Sequence, residues 1–133
     1  KISGISGNEC LATNCLSDIH PDADAYIFSI KDDALKDTAV SIGNIMDSRN
    51  PLFIHTAGSV PMDIFQGIAK RYGVLYPMQT FSKARQVDFS SIPCFIEACD
   101  NATLDIINDL ASSISLRSER SFSLTSACEV PII

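Results

Sequence analysis

A histidine, two hydroxyls and a glycine fall within five consecutive places, His55-Thr56-Ala57-Gly58-Ser59, directly behind the apolar run Leu52-Phe53-Ile54. Imidazole titrates near neutrality, so His55 can carry a proton or hydrogen-bond a substrate carbonyl; equally, it can satisfy a neighbouring backbone group. Thr56, Ala57, Gly58 and Ser59 offer backbone amides and hydroxyls to an anion at the start of a following helix, or simply make the turn and cap that helix. A second short run, Val74-Leu75-Tyr76, also ends in polar groups, Gln79 and Thr80, after Pro77 and Met78. Pro77 biases Tyr76 toward an extended conformation, and Gln79 and Thr80 then read as substrate contacts or as anchors of their own loop. Two successive strands carrying such groups at their carboxyl ends place them on one edge of a parallel α/β sheet, the edge where ligands bind.

Other chemistry is weaker. Ser29, Ile30 and Lys31 end an earlier strand, and Lys31 taken alone is a solvated surface charge. Lys83 and Arg85 concentrate positive charge near the loops, fit for a phosphate or carboxylate or for plain solvation. A serine-hydrolase triad of Ser59, His55 and Asp63 fails for want of a G-x-S-x-G elbow. Five cysteines, Cys10, Cys15, Cys94, Cys99 and Cys128, make an odd number, and Cys94 lies inside an apolar strand. Reduced thiols in a cytoplasmic protein follow more naturally than a disulfide framework, and two C-x4-C spacings without a short partner do not make a zinc site.

The elements that position these groups alternate. Strands are expected at Ala25 to Ile30, Leu52 to Ile54, Gly73 to Tyr76 and Ile92 to Ala98, with Pro93 marking an edge or a strand start. The run Leu52-Phe53-Ile54, bounded by Pro51 and Gly58, reads as a strand buried on both faces. A helix from about Ala34 to Met46 buries Leu35, Ala39, Ile42 and Met46, after an aspartate cap at Asp32 or Asp33. A second is expected from Pro61 to Lys70 with Met62, Phe65 and Ala69 on one face. A third, Ala102 to Ile114, is capped by Asn101 and buries Leu104, Ile107, Leu110 and Ile114 while Asp105 and Asp109 face water. From Leu116 onward no clean period remains. The pattern is that of an α/β fold with a mostly parallel sheet.

With 133 residues, 46% of them hydrophobic, the chain is one ordinary domain with a real core. Ten basic against sixteen acidic residues leave a net charge of −6, which argues against nucleic acid or an anionic membrane as partner. No run approaches a membrane span.

The strings H-T-A-G-S-V-P-M from His55, Y-G-V-L-Y-P-M-Q-T-F-S-K from Tyr72, V-D-F from Val87 and I-P-C-F-I-E-A from Ile92 resemble a family of bacterial NADP-dependent oxidoreductases common in Bacteroidales. These join a Rossmann-like domain to a helical domain of unassigned function and are related to pyrroline-5-carboxylate reductase and 6-phosphogluconate dehydrogenase. The resemblance runs from about Cys15 to Ser115. It implies NADP or NAD as cofactor, hydride transfer to or from a small carbonyl or imine substrate, and a homodimer. It puts His55, Gln79 and Thr80 at the reacting end, and Ser29, Ile30, Lys31 and Thr56 to Ser59 beside the cofactor.

Family members begin with a strand and a G-x-G-x-x-G turn that holds the pyrophosphate. Here the early glycines are Gly4 and Gly7, with three residues ahead of the first. The expectation is therefore a partial Rossmann-like domain over residues 1–115, lacking its first strand-turn-helix, and an irregular tail over 116–133. Such a piece is expected to bind no dinucleotide alone. The second reading is a non-catalytic α/β remnant or interaction module.

Overall fold

The computed structural model describes residues 12–46, 50–78, 92–114 and 118–120. Gln79, Thr80, Lys83, Arg85, Cys10 and Cys128 lie outside them. Five strands, β1 (Ala25–Phe28), β2 (Leu52–His55), β3 (Arg71–Pro77), β4 (Cys94–Ala98) and β5 (Ser118–Arg120), form one sheet in the order β1-β2-β3-β4-β5. The pairs β1–β2, β2–β3 and β4–β5 are parallel, and β3–β4 is antiparallel. The sheet is thus α/β and mostly parallel. β4 lies between β3 and β5, so Pro93 marks its start and not an edge. β5 takes three residues of the stretch that showed no period.

Every residue of β2 is buried, as a central strand with both faces covered requires. Alternation sends Phe53 to one face and Leu52 and Ile54 to the other. On the first face, helix α1 (Asp32–Ile45) packs Leu35, Ala39 and Ile42 onto Tyr26, Phe28, Phe53 and Phe65. On the second, α2 (Asn101–Ile114) packs Leu104, Ile107 and Ala111 onto Leu52, Ile54, Leu75, Cys94 and Ile96.

Several boundaries shift by one or two residues from the sequence reading, α1 starting at Asp32, β3 at Arg71 and β4 at Cys94, and three differences bear on packing or capping. The segment Pro61 to Lys70 is no α-helix: a single 3-10 turn, Met62–Phe65, is followed by hydrogen-bonded turns. Gly67, at φ +80°, takes the left-handed conformation that ends helical propagation. Met62, Phe65 and Ala69 are nonetheless the buried residues of this segment. Strand β1 stops at Phe28, which leaves Ser29 and Ile30 in the connection to α1. At α2 the cap is Asp100, one place earlier than Asn101: its Oδ1 accepts from the Thr103 amide at 2.7 Å and its carbonyl from the Leu104 amide.

Candidate functional site

Because β1, β2 and β3 run in one direction, their carboxyl ends share a rim. Onto it come Ser29-Ile30-Lys31 from β1, His55 to Ser59 from β2, and Tyr76-Pro77-Met78 from β3. The start of β4 joins them, since Cys94 pairs with Pro77 and the Met78 amide donates to the Pro93 carbonyl at 2.9 Å. The rim anticipated from strand endings is therefore present for β1 and β2. From β3 it is described as far as Met78, one residue short of Gln79.

His55 has no solvent-exposed surface, although it ends a strand at the rim. Its ring lies 5.5 Å from that of Phe65. Nδ1 accepts from the Ala57 amide at 3.2 Å, which fixes the proton on Nε2, and Nε2 donates to the Pro61 carbonyl at 3.4 Å. Burial pulls its pKa below the ordinary histidine value, against the opposing influence of the Pro61 carbonyl and the Asp32 carboxylate. The imidazole is neutral at pH 7, and both its nitrogens hold the backbone of the loop that follows it.

That loop is tied to β1 and α1 as well. The Thr56 amide donates to the Phe28 carbonyl at 3.2 Å, and the Thr56 hydroxyl donates to the same oxygen at 3.5 Å. The Ser59 hydroxyl donates to Oδ2 of Asp32, in the first turn of α1, at 2.8 Å. Asp32 caps nothing through its side chain, and the residue before the helix, Lys31, makes no side-chain cap bond either. Ser59 likewise makes no cap for the following turn, whose entry residue is Pro61. Ser29, Ile30 and Lys31 are all exposed.

Tyr76 closes the rim from β3. A Cβ placed on Gly58 would stand 2.6 Å from Cζ of the Tyr76 ring and 2.8 Å from both Cε atoms. The ring therefore lies flat against Gly58, and a side chain there would have to displace it. Asp32 and Tyr76 were not picked out in the sequence as site residues. Asp32 looked like an ordinary helix cap because its partner is 27 positions away, and Tyr76 looked like the last residue of an apolar strand. Among the described residues no group of three or more His, Cys, Asp or Glu side chains is arranged to hold a metal ion.

No protein-family model and no curated protein matches the chain. Solved structures do. The crystal structure of a "putative NADP oxidoreductase" from Bacteroides fragilis superposes with a TM-score of 0.74 and 41% sequence identity over 84% of this chain. The chain is a partial relative of that protein. It spans 42% of that protein's length. Two more distant structures share the fold. A protein from Thermotoga maritima matches with a TM-score of 0.59 at 17% identity, over 79% of this chain and 40% of its own. The prephenate dehydrogenase from A. aeolicus, in complex with hydroxyphenyl propionate and NAD+, matches at 0.58 and 13% identity, over 74% and 37%. The likeness to oxidoreductases carried by the motifs thus extends to the three-dimensional fold. In the described residues no helix is long and apolar enough to cross a membrane.

Proposed function

We propose that the chain forms part of an NAD(P)-dependent oxidoreductase, with the rim of β1, β2 and β3 as the reacting end and a small carbonyl or imine compound as substrate. The observation that carries this reading is the 41% identity over 84% of the chain to the "putative NADP oxidoreductase" of the same fold, combined with a rim that gathers the carboxyl ends of three parallel strands. A bound nicotinamide would supply or accept the hydride. The chain's own residues would orient the substrate and hold the loops that exclude water.

In this reading His55 is a positioning residue: its single N–H is already given to Pro61, so it sets the course of Ala57 to Pro61 and gives no proton to substrate. Gln79 and Thr80, which follow Met78 in the sequence, are assigned to substrate contact. Ser29, Ile30 and Lys31 flank the cofactor, mainly through backbone. The compartment assigned to it is the cytoplasm, and the whole enzyme is assigned as a homodimer.

The test is a graft. Residues 12–114 replace the matching segment of the Bacteroides fragilis protein, and NADPH binding is followed by nicotinamide fluorescence in the graft and in the unaltered protein. The reading expects the graft to bind within about tenfold of the unaltered protein. A folded graft that has lost binding overturns it, as does the absence of binding in both.

A further inference from the structure

Hydride addition to a carbonyl leaves an electron pair on oxygen that needs a proton, so a rim that runs this reaction needs a donor with no other commitment. The side chains of the β2 loop are committed. The single N–H of His55 goes to Pro61, the Thr56 hydroxyl to Phe28 and the Ser59 hydroxyl to Asp32. The Tyr76 hydroxyl has no partner among the described residues. Its place is set by the ring, because Cζ, the carbon that carries the oxygen, is the atom nearest to Gly58, 2.6 Å from where a Cβ would stand. The hydroxyl therefore lies at the loop of Gly58 and Ser59, and the Tyr76 side chain is half-buried. The Gly58 and Ser59 amides, which have no acceptor among the described residues, flank the point of contact. A phenol and two amides, all donors, thus meet on the rim, and a carbonyl oxygen is the acceptor that suits them.

We propose that Tyr76 is a catalytic residue that donates its hydroxyl proton to the oxygen of the substrate, and that the substrate is a carbonyl compound and not an imine. The proposal rests on the oxidoreductase reading and narrows it. A hydride drawn from a dihydronicotinamide, which is thereby oxidised, adds to the carbonyl carbon, and the carbon–oxygen π pair moves to oxygen. That pair forms an O–H bond with the Tyr76 proton, the phenol O–H breaks, and the phenolate recovers a proton from water at its exposed side. An alcohol is the product. An iminium ion becomes a neutral amine on taking the hydride, needs no proton and finds no use for three donors. Pyrophosphate would accept from the same donors, but it brings several negative charges beside Asp32, whose carboxylate lies 2.8 Å from the Ser59 oxygen. A neutral carbonyl brings none.

The experiment records NMR spectra of the full 133-residue chain carrying tyrosine isotopically labelled at Cζ. The chain holds three tyrosines, so Tyr76→Phe assigns the Tyr76 signal by its loss. Cyclohexanone, the pyrrolinium cation and inorganic pyrophosphate are added separately. Cyclohexanone should move the Tyr76 Cζ signal and the Gly58 and Ser59 amides together and saturably, and the other two probes should not. Tyr76→Phe keeps a ring on Gly58 and removes only the hydroxyl. It should weaken cyclohexanone about fivefold, read from the two amides, the loss of one hydrogen bond to a neutral oxygen.

Pyrophosphate moving the same signals would make the loop an anion site, a response to pyrrolinium alone would restore the imine, and either overturns the proposal. So does a chain that ignores cyclohexanone, or a Tyr76→Phe chain that binds it as before. The graft separates this from the broader reading. NADPH binding by the graft, beside a chain indifferent to cyclohexanone, leaves an oxidoreductase without this donor. Cyclohexanone seated at Tyr76, beside a graft that binds no NADPH, leaves the donor without the oxidoreductase.

Discussion

The two faces of the sheet are built from different materials. Beneath α1 the core is aromatic: Phe53 meets Tyr26 and Phe65 edge-on at 5.5 Å, Phe28 lies 5.2 Å from both Phe53 and Phe65, and Tyr72 closes the cluster at 6.5 Å from Phe65. Beneath α2 it is aliphatic, with Leu52, Ile54, Leu75, Ile96, Leu104 and Ile107 filled in by Cys94 and Ala111. The aromatic face reaches the rim, because Phe65 touches the imidazole of His55 and His55 holds Ala57 and Pro61. Core packing and loop geometry are thus one structure on that side. On the aliphatic side no such contact joins the described core to the loop, so the two faces should fail in different ways.

Truncation exposes the difference with the largest effect. Phe65→Ala should cost about 3–5 kcal/mol and Ile107→Ala about 2–5 kcal/mol, since both side chains are fully buried. Urea unfolding gives those two numbers, and they need not differ. Amide spectra of the folded variants should. Phe65→Ala should displace the signals of Ala57 to Ser59, whereas Ile107→Ala should leave them in place. Equal displacement by both would mean that the rim answers to global packing and that the aromatic face has no special connection to it.

Acid sharpens the same comparison through His55. Its pKa in the fold lies below the ordinary 6.5, chiefly from burial. The unfolded chain therefore takes up a proton at a pH where the folded chain does not, and unfolding gains from acidification. The contribution of neutral His55 is complete above pH 6.5 and is lost as the pH falls from there toward the folded-state value, at up to about 1.4 kcal/mol per pH unit. Denaturation midpoints measured across that window should fall in the parent chain and flatten in His55→Gln. A parent and variant with parallel pH profiles would show that the imidazole is not the group responsible.

Much of this arrangement could be read in the sequence because the signals were local. Leu52-Phe53-Ile54 announced a strand with two buried faces, the spacing of Leu35, Ala39 and Ile42 announced α1, and the groups after Ile54 announced the rim. The readings that missed involve competition between local and distant partners. Met62, Phe65 and Ala69 have helical spacing, but Gly67 in a left-handed conformation turns the chain before a second helical turn forms. Ser59 and Asp32 both have the chemistry of helix caps; they bond to each other across 27 positions instead. The direction of β4 was also out of reach, since an apolar strand carries the same residues whether it runs parallel or antiparallel to its neighbour. His55 itself was legible as a strand-end histidine. Its burial depends on Phe65 folding back over it, which no spacing near residue 55 reveals.

The smallest effect lies at the opposite end of the sheet, where the aliphatic face begins. Asp100 stands at the carboxyl end of β4, which the antiparallel pairing places beside the start of β3, away from the rim. Its carboxylate accepts from the Thr103 amide and is held below the usual carboxylate range mainly by that bond, then by the Thr103 hydroxyl, with burial opposing and Cys99 and Arg71 contributing less. A carboxyl with a lowered pKa stabilises the fold above its unfolded value, near 4, and the benefit disappears as the pH falls through the folded one. Asp100→Ala should therefore cost about 1 kcal/mol at neutral pH, the usual loss of a helix cap, and nothing further once the parent carboxyl is protonated. Asp100→Asn should recover most of the loss, because an amide oxygen can still accept from Thr103. Neither change should move the amides of residues 56–59. If either did, α2 would be communicating with the rim through β4 and β3, and the division between an aromatic face that governs the site and an aliphatic face that only supports it would have to be abandoned.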